Sequence, residues 1–557
     1  MGLISRHLND QSIGGFFGDS STVAFINQLQ DAVSKTPAPL QASRRQFDPK
    51  TATNFNANDL QVLLPPRTLA DHLVDCYFSK IHSLYPFVHK EAFLTAYDSL
   101  RRNKDTPSGR STNGLGLGDA GGNLITFYYG LNMIFALGCQ FSDIVQHERE
   151  AVSEAFFQTC KPVLDLDYLE NGDLALAQTL LLMAHYLQGS RTPNRCWHVI
   201  GTACRLAQGV GLHSDVGNEH RSFAETQIRR RVWHGCVMLD LATSIMLGRP
   251  VMISYKPSTP LPEPIDDVHL NINSETCEQP PGTFSRAEWF VTTLKLHGLL
   301  RKIFNTLYDN IGNQYDEKQN LANQGATETS VQVHYITQLD ADLQDFRLRV
   351  PRPLRWDSPA SEGHPEFLRE QFLYLKILIY RPVLSKSLRD MMSTGIERES
   401  SAGISANFTM DCSVFCVQSA IDLISLVHET CNTELASVWY YNVFSGSITL
   451  LAELYPPVAN IATREALEMS WVKCQEALNH LKSYSLVAER CADSMALIRS
   501  KCMEATSERS DQPQEYSEDC GETWNMAAQF PFSEDIFRDF DFNAQTFFDP
   551  FWFNLEF

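Results

Sequence analysis

The chain reads as helix over most of its length. Leu69, Leu73, Cys76, Ile81 and Leu84 recur at helical spacing, which sets them on one side of a 3.6-residue repeat. Trp197, Ile200, Cys204 and Ala207 form a second stripe, and Ile228, Val232, Cys236, Leu239 and Thr243 a third. Leu368, Phe372, Leu375 and Ile379 make a fourth. Runs of strict alternation, which strands would need, are missing. Prolines and glycines punctuate the stripes at Pro65-Pro66, Pro86, Gly209, Gly211, Pro250 and Pro382, the residues that stop helices and open turns. Gly211-Leu212 predicts a helix C-cap with an apolar contact, and Gly248-Arg249 another. The fold class expected is all-α, a large irregular helical array. Stretches rich in Gly, Ser, Asn and Pro, at 34–59, 103–123, 256–281, 357–364 and 389–407, read as loops or linkers.

Composition modifies this picture at one place. The 557 residues are 43% hydrophobic and carry a net charge of −20. That length exceeds one compact domain, and the acidic total argues against coating nucleic acid by bulk charge. The charge is concentrated, however. From Thr506 to Phe557 twelve carboxylates face two arginines, so a net −10 sits in this stretch. From Tyr516 onward thirteen aromatics are interleaved with the acids, as in Glu534-Asp535-Ile536-Phe537-Arg538-Asp539-Phe540-Asp541-Phe542. Acidic–aromatic alternation is the composition of a disordered activation segment, whose carboxylates repel one another and keep the rings available to a coactivator groove. Phe537, Phe540, Phe542, Phe551 and Trp552 are the candidate recruiting residues. Two other readings stand beside it: an arm packing its rings on the protein's own body, and a plain solvated tail. The resulting division is 1–59 linker-like, 60–505 helical body, and 506–557 acidic aromatic tail.

Catalytic and cofactor motifs mostly fail on spacing. No Walker loop, Gly-x-Ser-x-Gly elbow or His-Glu-x-x-His occurs. Gly116-Leu117-Gly118-Asp119-Ala120-Gly121 matches a dinucleotide pattern, but a polar tract precedes it where a strand is required, so it reads as a flexible loop. His185, Cys196, His198, Cys204 and His213 do not have the spacing of a tetrahedral metal site. The fourteen cysteines include no Cys-x-x-Cys pair and lie among apolar residues, as small buried thiols do. Arg229-Arg230-Arg231 is the one tight basic cluster in the body; it reads as an exposed helix face, with an import or phosphate-contacting patch as the alternative. The start of the chain lacks the apolar core of a secretory signal, and the longest uncharged run, Leu124–Gln140, suits a buried helix better than a membrane span. Catalytic, cofactor-binding and metal residues are therefore expected to be none, and the protein no enzyme.

An ordered set of segments then carries a resemblance. It runs from Gly14-Gly15-Phe16-Phe17-Gly18-Asp19-Ser20-Ser21 through Leu64-Pro65-Pro66-Arg67 to Ser83-Leu84-Tyr85-Pro86-Phe87-Val88-His89. It continues through Ala177-Gln178-Thr179-Leu180-Leu181-Leu182-Met183, Trp197-His198-Val199-Ile200-Gly201 and Gly211-Leu212-His213-Ser214-Asp215. Arg229-Arg230-Arg231-Val232-Trp233, Asp240, Ser244, Leu247-Gly248-Arg249-Pro250 and a helix ending in Ile379-Tyr380-Arg381-Pro382 complete it. Over roughly residues 60–390 this resembles the fungal-specific transcription factor domain, the middle region of zinc binuclear cluster regulators. The resemblance implies a nuclear regulator of RNA polymerase II transcription, for a metabolic or secondary-metabolite gene set. It implies a homodimer, or a heterodimer with a zinc-cluster regulator, without a membrane. In the family zinc belongs to an N-terminal module of six cysteines. The first cysteine here is Cys76, so no zinc ligand or DNA contact carries over to any residue. The alternative expectation is a ligand sensor or inhibitory partner that does not bind DNA. Its pocket would be formed by Trp197, Trp233, Phe127, Tyr128 and Tyr129, rings that otherwise simply fill the core.

Overall fold

A computed structural model describes residues 64–101, 114–308, 328–358, 365–394, 404–431 and 463–482, and scattered positions to 500, with short gaps at 120, 171, 189–192, 217–220, 248, 254–258 and 275. Among these residues every regular element is helical. In chain order they are α1 (Arg67–Lys80), α2 (Lys90–Arg101), α3 (Leu124–Cys139), α4 (Gln146–Thr159), α5 (Leu166–Glu170), α6 (Leu174–Gln188), α7 (Pro193–Gly209), α8 (Phe223–Leu247), α9 (Ala287–Leu307), α10 (Glu328–Arg349), α11 (Pro365–Thr394), α12 (Ile404–Thr430) and α13 (Arg464–Leu481). Three of the four apolar stripes fall within helices of this set, the first runs beyond α1, with Ile81 at its C-cap and Leu84 in the following turn, and the fold is all-α as expected.

The chain divides into two compact units, and the boundary falls after Leu294, within α9. In the first unit α3 and α6 are the central helices. Leu131, Met133, Phe135, Leu180, Leu181 and Met183 are fully or almost fully buried, and α1, α4, α7 and α8 pack around them. Helices apolar on nearly every side can only exist so enclosed. Asn123 caps α3, accepting hydrogen bonds from the Ile125 and Thr126 amides. At the other end of the unit α7 closes with the interlocked pair of bonds that a left-handed glycine permits. Gly211 has φ +79°. The Leu212 amide reaches Ala207 O at 2.9 Å and the Gly211 amide Gln208 O at 3.0 Å, and Leu212 is buried. The second predicted cap also forms: the Arg249 amide donates back to Ser244 O at 2.8 Å at the end of α8.

In the second unit α11 packs against α10 and α12, and α12 against α13. One expectation fails here. Pro382 lies inside the 30-residue α11 instead of ending it. A helical proline leaves the carbonyl four residues back without its amide, and that carbonyl, Leu378 O, accepts a hydrogen bond from the Tyr308 hydroxyl at 2.6 Å. The Arg381 guanidinium lies 5.1 Å from the Tyr308 ring centroid. A tyrosine from another segment thus stands in for the missing donor, and the helix continues.

Among the described residues one helical segment, Asn407–Thr430, is long and apolar enough to cross a bilayer. Its exposed positions Asn407, Asp411, Phe415 and Gln418 recur with helical period, while Cys412, Cys416, Val417, Ala420 and Leu423 are buried. One polar stripe and one buried face is the pattern of a core helix packed in protein.

Candidate functional site

A dense polar cluster of the first unit is built on α8. Three of its residues, Gln227, Arg231 and His234, lie on one helix face and hold the segment 259–267 along it. Gln227 Oε1 accepts from the Glu263 amide at 2.8 Å. The His234 ring lies 2.9 Å from Pro260 O. Arg231 donates to Ile265 O at 2.7 Å and pairs with Asp267 at 2.5 Å. The region expected to be a loop or linker at 256–281 is therefore, where described, a strap packed on α8, with Ile265 and Leu270 buried.

Asp267 is the centre of this cluster. Its side chain is 8% exposed and that of Arg231 1%. Its second oxygen accepts from the Lys90 amide at 2.7 Å and from His82 Nε2 at 3.2 Å. Burial would push the Asp267 pKa up, but the Arg231 charge and the His82 hydrogen bond outweigh it and hold the carboxyl well below the usual range. His89 completes the cluster. Leu270 O can only accept, so His89 Nε2, 3.0 Å away, carries the proton. Nδ1 is then free to accept from the Ala92 amide at 3.3 Å, capping α2. Beside them the Tyr77 hydroxyl is buried without a hydrogen-bond partner among the described residues. Burial first, and the Asp267 charge second, keep it protonated.

His89, Glu91 and Asp267 bring three potential metal ligands within 4.8 Å of one another. The donor set does not suit a cation. Asp267 already faces a buried guanidinium, and both His89 nitrogens are spent on backbone groups. The cluster is a clamp joining the start of α2, the strap and α8, with no nucleophile and base in it.

The arginine triplet is not an exposed face, and it forms no phosphate patch. Arg229 is 7% and Arg231 1% exposed. Arg229 donates to Val210 O at the end of α7, and Arg230 pairs with Asp215 at 2.5 Å. The reason is packing on both sides: α7 with its cap lies against one side of α8 and the strap against another, so three successive positions all meet protein. The following motif is scaffold too. Asp240 accepts from the Ile253 amide at 3.0 Å. Arg249 donates to Asn194 Oδ1 at 2.5 Å and lies 4.8 Å from the Trp197 ring centroid. Phe87 of the Tyr-Pro-Phe motif fits against Gly235, where an added Cβ would lie 2.4 Å from the ring.

The glycine-rich stretch is likewise no flexible loop where it is described. Leu115 and Leu117 are fully buried. Gln178 locks the turn from α6: its Oε1 accepts from the Leu117 amide at 2.7 Å, and its Nε2 donates to Phe87 O at 2.7 Å. The alternating leucines supplied the apolar anchor that the glycines around them obscured. The remaining candidates disperse. Cys196 donates to Ala184 O and the His185 ring lies tilted against that of Tyr85, while the His213 ring lies tilted near that of Trp233. The eleven described cysteines are buried and form no disulfide among the described residues, and burial pushes the thiols of Cys139, Cys196, Cys412 and Cys416 up to about 12. Phe127, Tyr128 and Trp233 are core residues. Phe537, Phe540, Phe542, Phe551 and Trp552 lie outside the described residues.

Sequence reasoning did not single out Asp267 or Glu370, and met Gln178 only as part of the Ala177–Met183 segment of the resemblance. Asp267 and Gln178 become meaningful only once distant segments meet. Glu370, fully buried in α11, sits 2.8 Å from the Thr430 hydroxyl, and burial raises its pKa to about 8. Its only sequence signal is a carboxylate on the apolar side of a helix.

Comparison with known proteins agrees with this scaffold. Residues 74–347 match the fungal specific transcription factor domain. Over 511 residues the chain is 25% identical to sorbicillinoid biosynthetic cluster transcription factor 2 of Penicillium rubens, covering 87% of this chain and 67% of that protein. It is 22% identical to cutinase transcription factor 1 alpha of Fusarium vanettenii, over 57% of this chain and 32% of that one. It is also 22% identical to sorbicillinoid biosynthetic cluster transcription factor sor3 of Hypocrea jecorina, over 79% and 60%. The chain thus spans from about a third to two thirds of these curated relatives. The resemblance motifs between His89 and Pro250 supply much of the clamp, caps and straps of the first unit, and it is residues 74–347, just under half of the chain, that are similar to the fungal specific transcription factor domain.

Proposed function

We propose that this chain regulates transcription in the nucleus of a fungus, with the helical body as its regulatory part and residues 506–557 as its effector. The matched domain at 74–347 carries the reading. The burial of Arg229, Arg231, Asp240 and His89 in the first unit supports it, because these motif residues hold shape and do no chemistry. Two of the relatives are named for sorbicillinoid biosynthetic clusters, and a secondary-metabolite gene set is the target class we favour. The tail supplies the contact to the transcription machinery: its twelve carboxylates keep thirteen aromatics soluble until a coactivator groove buries them. Fusing residues 506–557 to an unrelated DNA-binding domain should raise reporter expression, and replacing Phe537, Phe540 and Phe542 by alanine should abolish it. A fusion without activity removes the effector assignment. Absence of the full chain from chromatin would remove the regulatory one.

A further inference from the structure

The second unit contains a cavity of about 330 Å³ whose lining the clamp and caps do not explain. That volume lies within the range of small-molecule sites. Its floor is one face of α11, where Arg369, Phe372, Leu373 and Lys376 follow at helical spacing. Trp356 closes one side, its ring centroid 5.3 Å from that of Phe372. The charges are unequal. Arg347 and Asp357 at the rim pair with each other at 3.3 Å. Asp422, also in the wall, accepts from Gln418 Nε2 at 2.9 Å. Arg369 is half-buried and has no hydrogen-bond or ion-pair partner among the described residues. Three cations therefore face two carboxylates, and the guanidinium fork left over lies one helical turn from a pair of aromatic rings.

We propose that this cavity binds a small aromatic carboxylate. Arg369 holds the carboxylate through two parallel N–H donors, the geometry a guanidinium offers and an ammonium does not. Trp356 and Phe372 bury the ring, and Lys376, two turns further along α11, faces the ligand's far edge. Lys376 lies 5.4 Å from the Phe415 ring centroid, which leaves Arg369 as the lining cation with neither a carboxylate nor a ring against it among the described residues, and one such fork suits a monocarboxylate better than a polyanion. The proposal rests on the reading of the body as regulatory, since it supplies the signal such a region would receive. The two readings fail separately, because the test below measures binding alone.

The test is calorimetric titration of the full chain with 2-naphthoate and with its neutral isostere 2-naphthamide. The expected result is saturable one-to-one binding of the acid, with the amide at least tenfold weaker, the loss expected when a charge-assisted fork is removed. Arg369→Gln should weaken the acid by at least tenfold and leave the amide unchanged, and Trp356→Ala should weaken both. Equal affinity for acid and amide overturns the proposal, as does wild-type affinity of R369Q for the acid. No heat with millimolar naphthoate overturns it as well, leaving the transcriptional reading untouched. Should R369Q fail to fold, the acid–amide comparison on the unchanged protein still decides.

Discussion

Two buried carboxylates are handled in opposite ways, and each makes a measurable demand. Asp267 stays ionised because Arg231 lies 2.5 Å away. Removing one member of such a pair strands a buried charge, so Asp267→Asn should destabilise the first unit by about 3–5 kcal/mol in denaturant unfolding. Combining it with Arg231→Met should recover a large part of that loss, because the stranded guanidinium disappears. Glu370 is instead held protonated, with a pKa raised by burial from 4.5 to about 8. Its folded-state value lies above the unfolded one. The stability it contributes is complete below about pH 4.5 and is lost as pH rises through about 8. Relative to low pH the loss should reach about 3 kcal/mol at pH 7 and about 5 kcal/mol above pH 8. Glu370→Gln keeps a hydrogen bond to Thr430 and cannot ionise, so its melting temperature should not show this alkaline decline. Parallel melting curves for both proteins from pH 5 to 9 would refute the assignment. Neither carboxylate announced itself in the sequence. An acid in a Pro-rich stretch and an acid on a helical stripe look alike there, and only the partners brought by the fold separate them.

At the scale of elements, the helical stripes and both glycine caps were legible because they are local. The 3.6-residue period and a left-handed glycine need no tertiary contact to be recognised. Pro382 was misread for the complementary reason. Proline does break the ladder locally, and the repair comes from Tyr308, 74 positions earlier in the chain. The segment 259–267 and the glycine-rich turn were misread similarly, since straps and plugs without regular structure resemble loops until their anchors on α8 and α6 are known. The Tyr308 repair can be tested as a cycle. Tyr308→Phe leaves Leu378 O unpaired in a packed helix, and should cost about 1–2 kcal/mol. In a Pro382→Ala background the alanine amide bonds Leu378 O itself, so the same Tyr308→Phe change should cost only a few tenths of a kcal/mol. Equal costs in both backgrounds would show that the tyrosine contributes by packing alone. Gly211→Ala, forced to adopt φ +79°, should lose about 1 kcal/mol by strain at the α7 cap.

Over the whole molecule, charge and structure are partitioned in the same way. Half of the −20 lies in residues 506–557, whereas the charged motif residues of the first unit are consumed by internal partners. A body whose arginines are bound to Asp215, Val210 O and Asp267 offers that triplet neither to nucleic acid nor to an acidic tail. That favours an outward-facing role for Phe537, Phe540 and Phe542 over packing on the body. The two roles separate in the full chain. If the rings act on a coactivator, replacing the three by alanine should abolish activation in a reporter strain and leave the melting temperature within about 1 °C of wild type. If they dock on the body, burying three phenylalanines is worth several kcal/mol, and the same substitution should lower the melting temperature by about 5 °C or more. Activation and stability lost together would make the tail part of the helical body. Activation lost alone would leave it as the segment through which an otherwise self-satisfied scaffold reaches its partners.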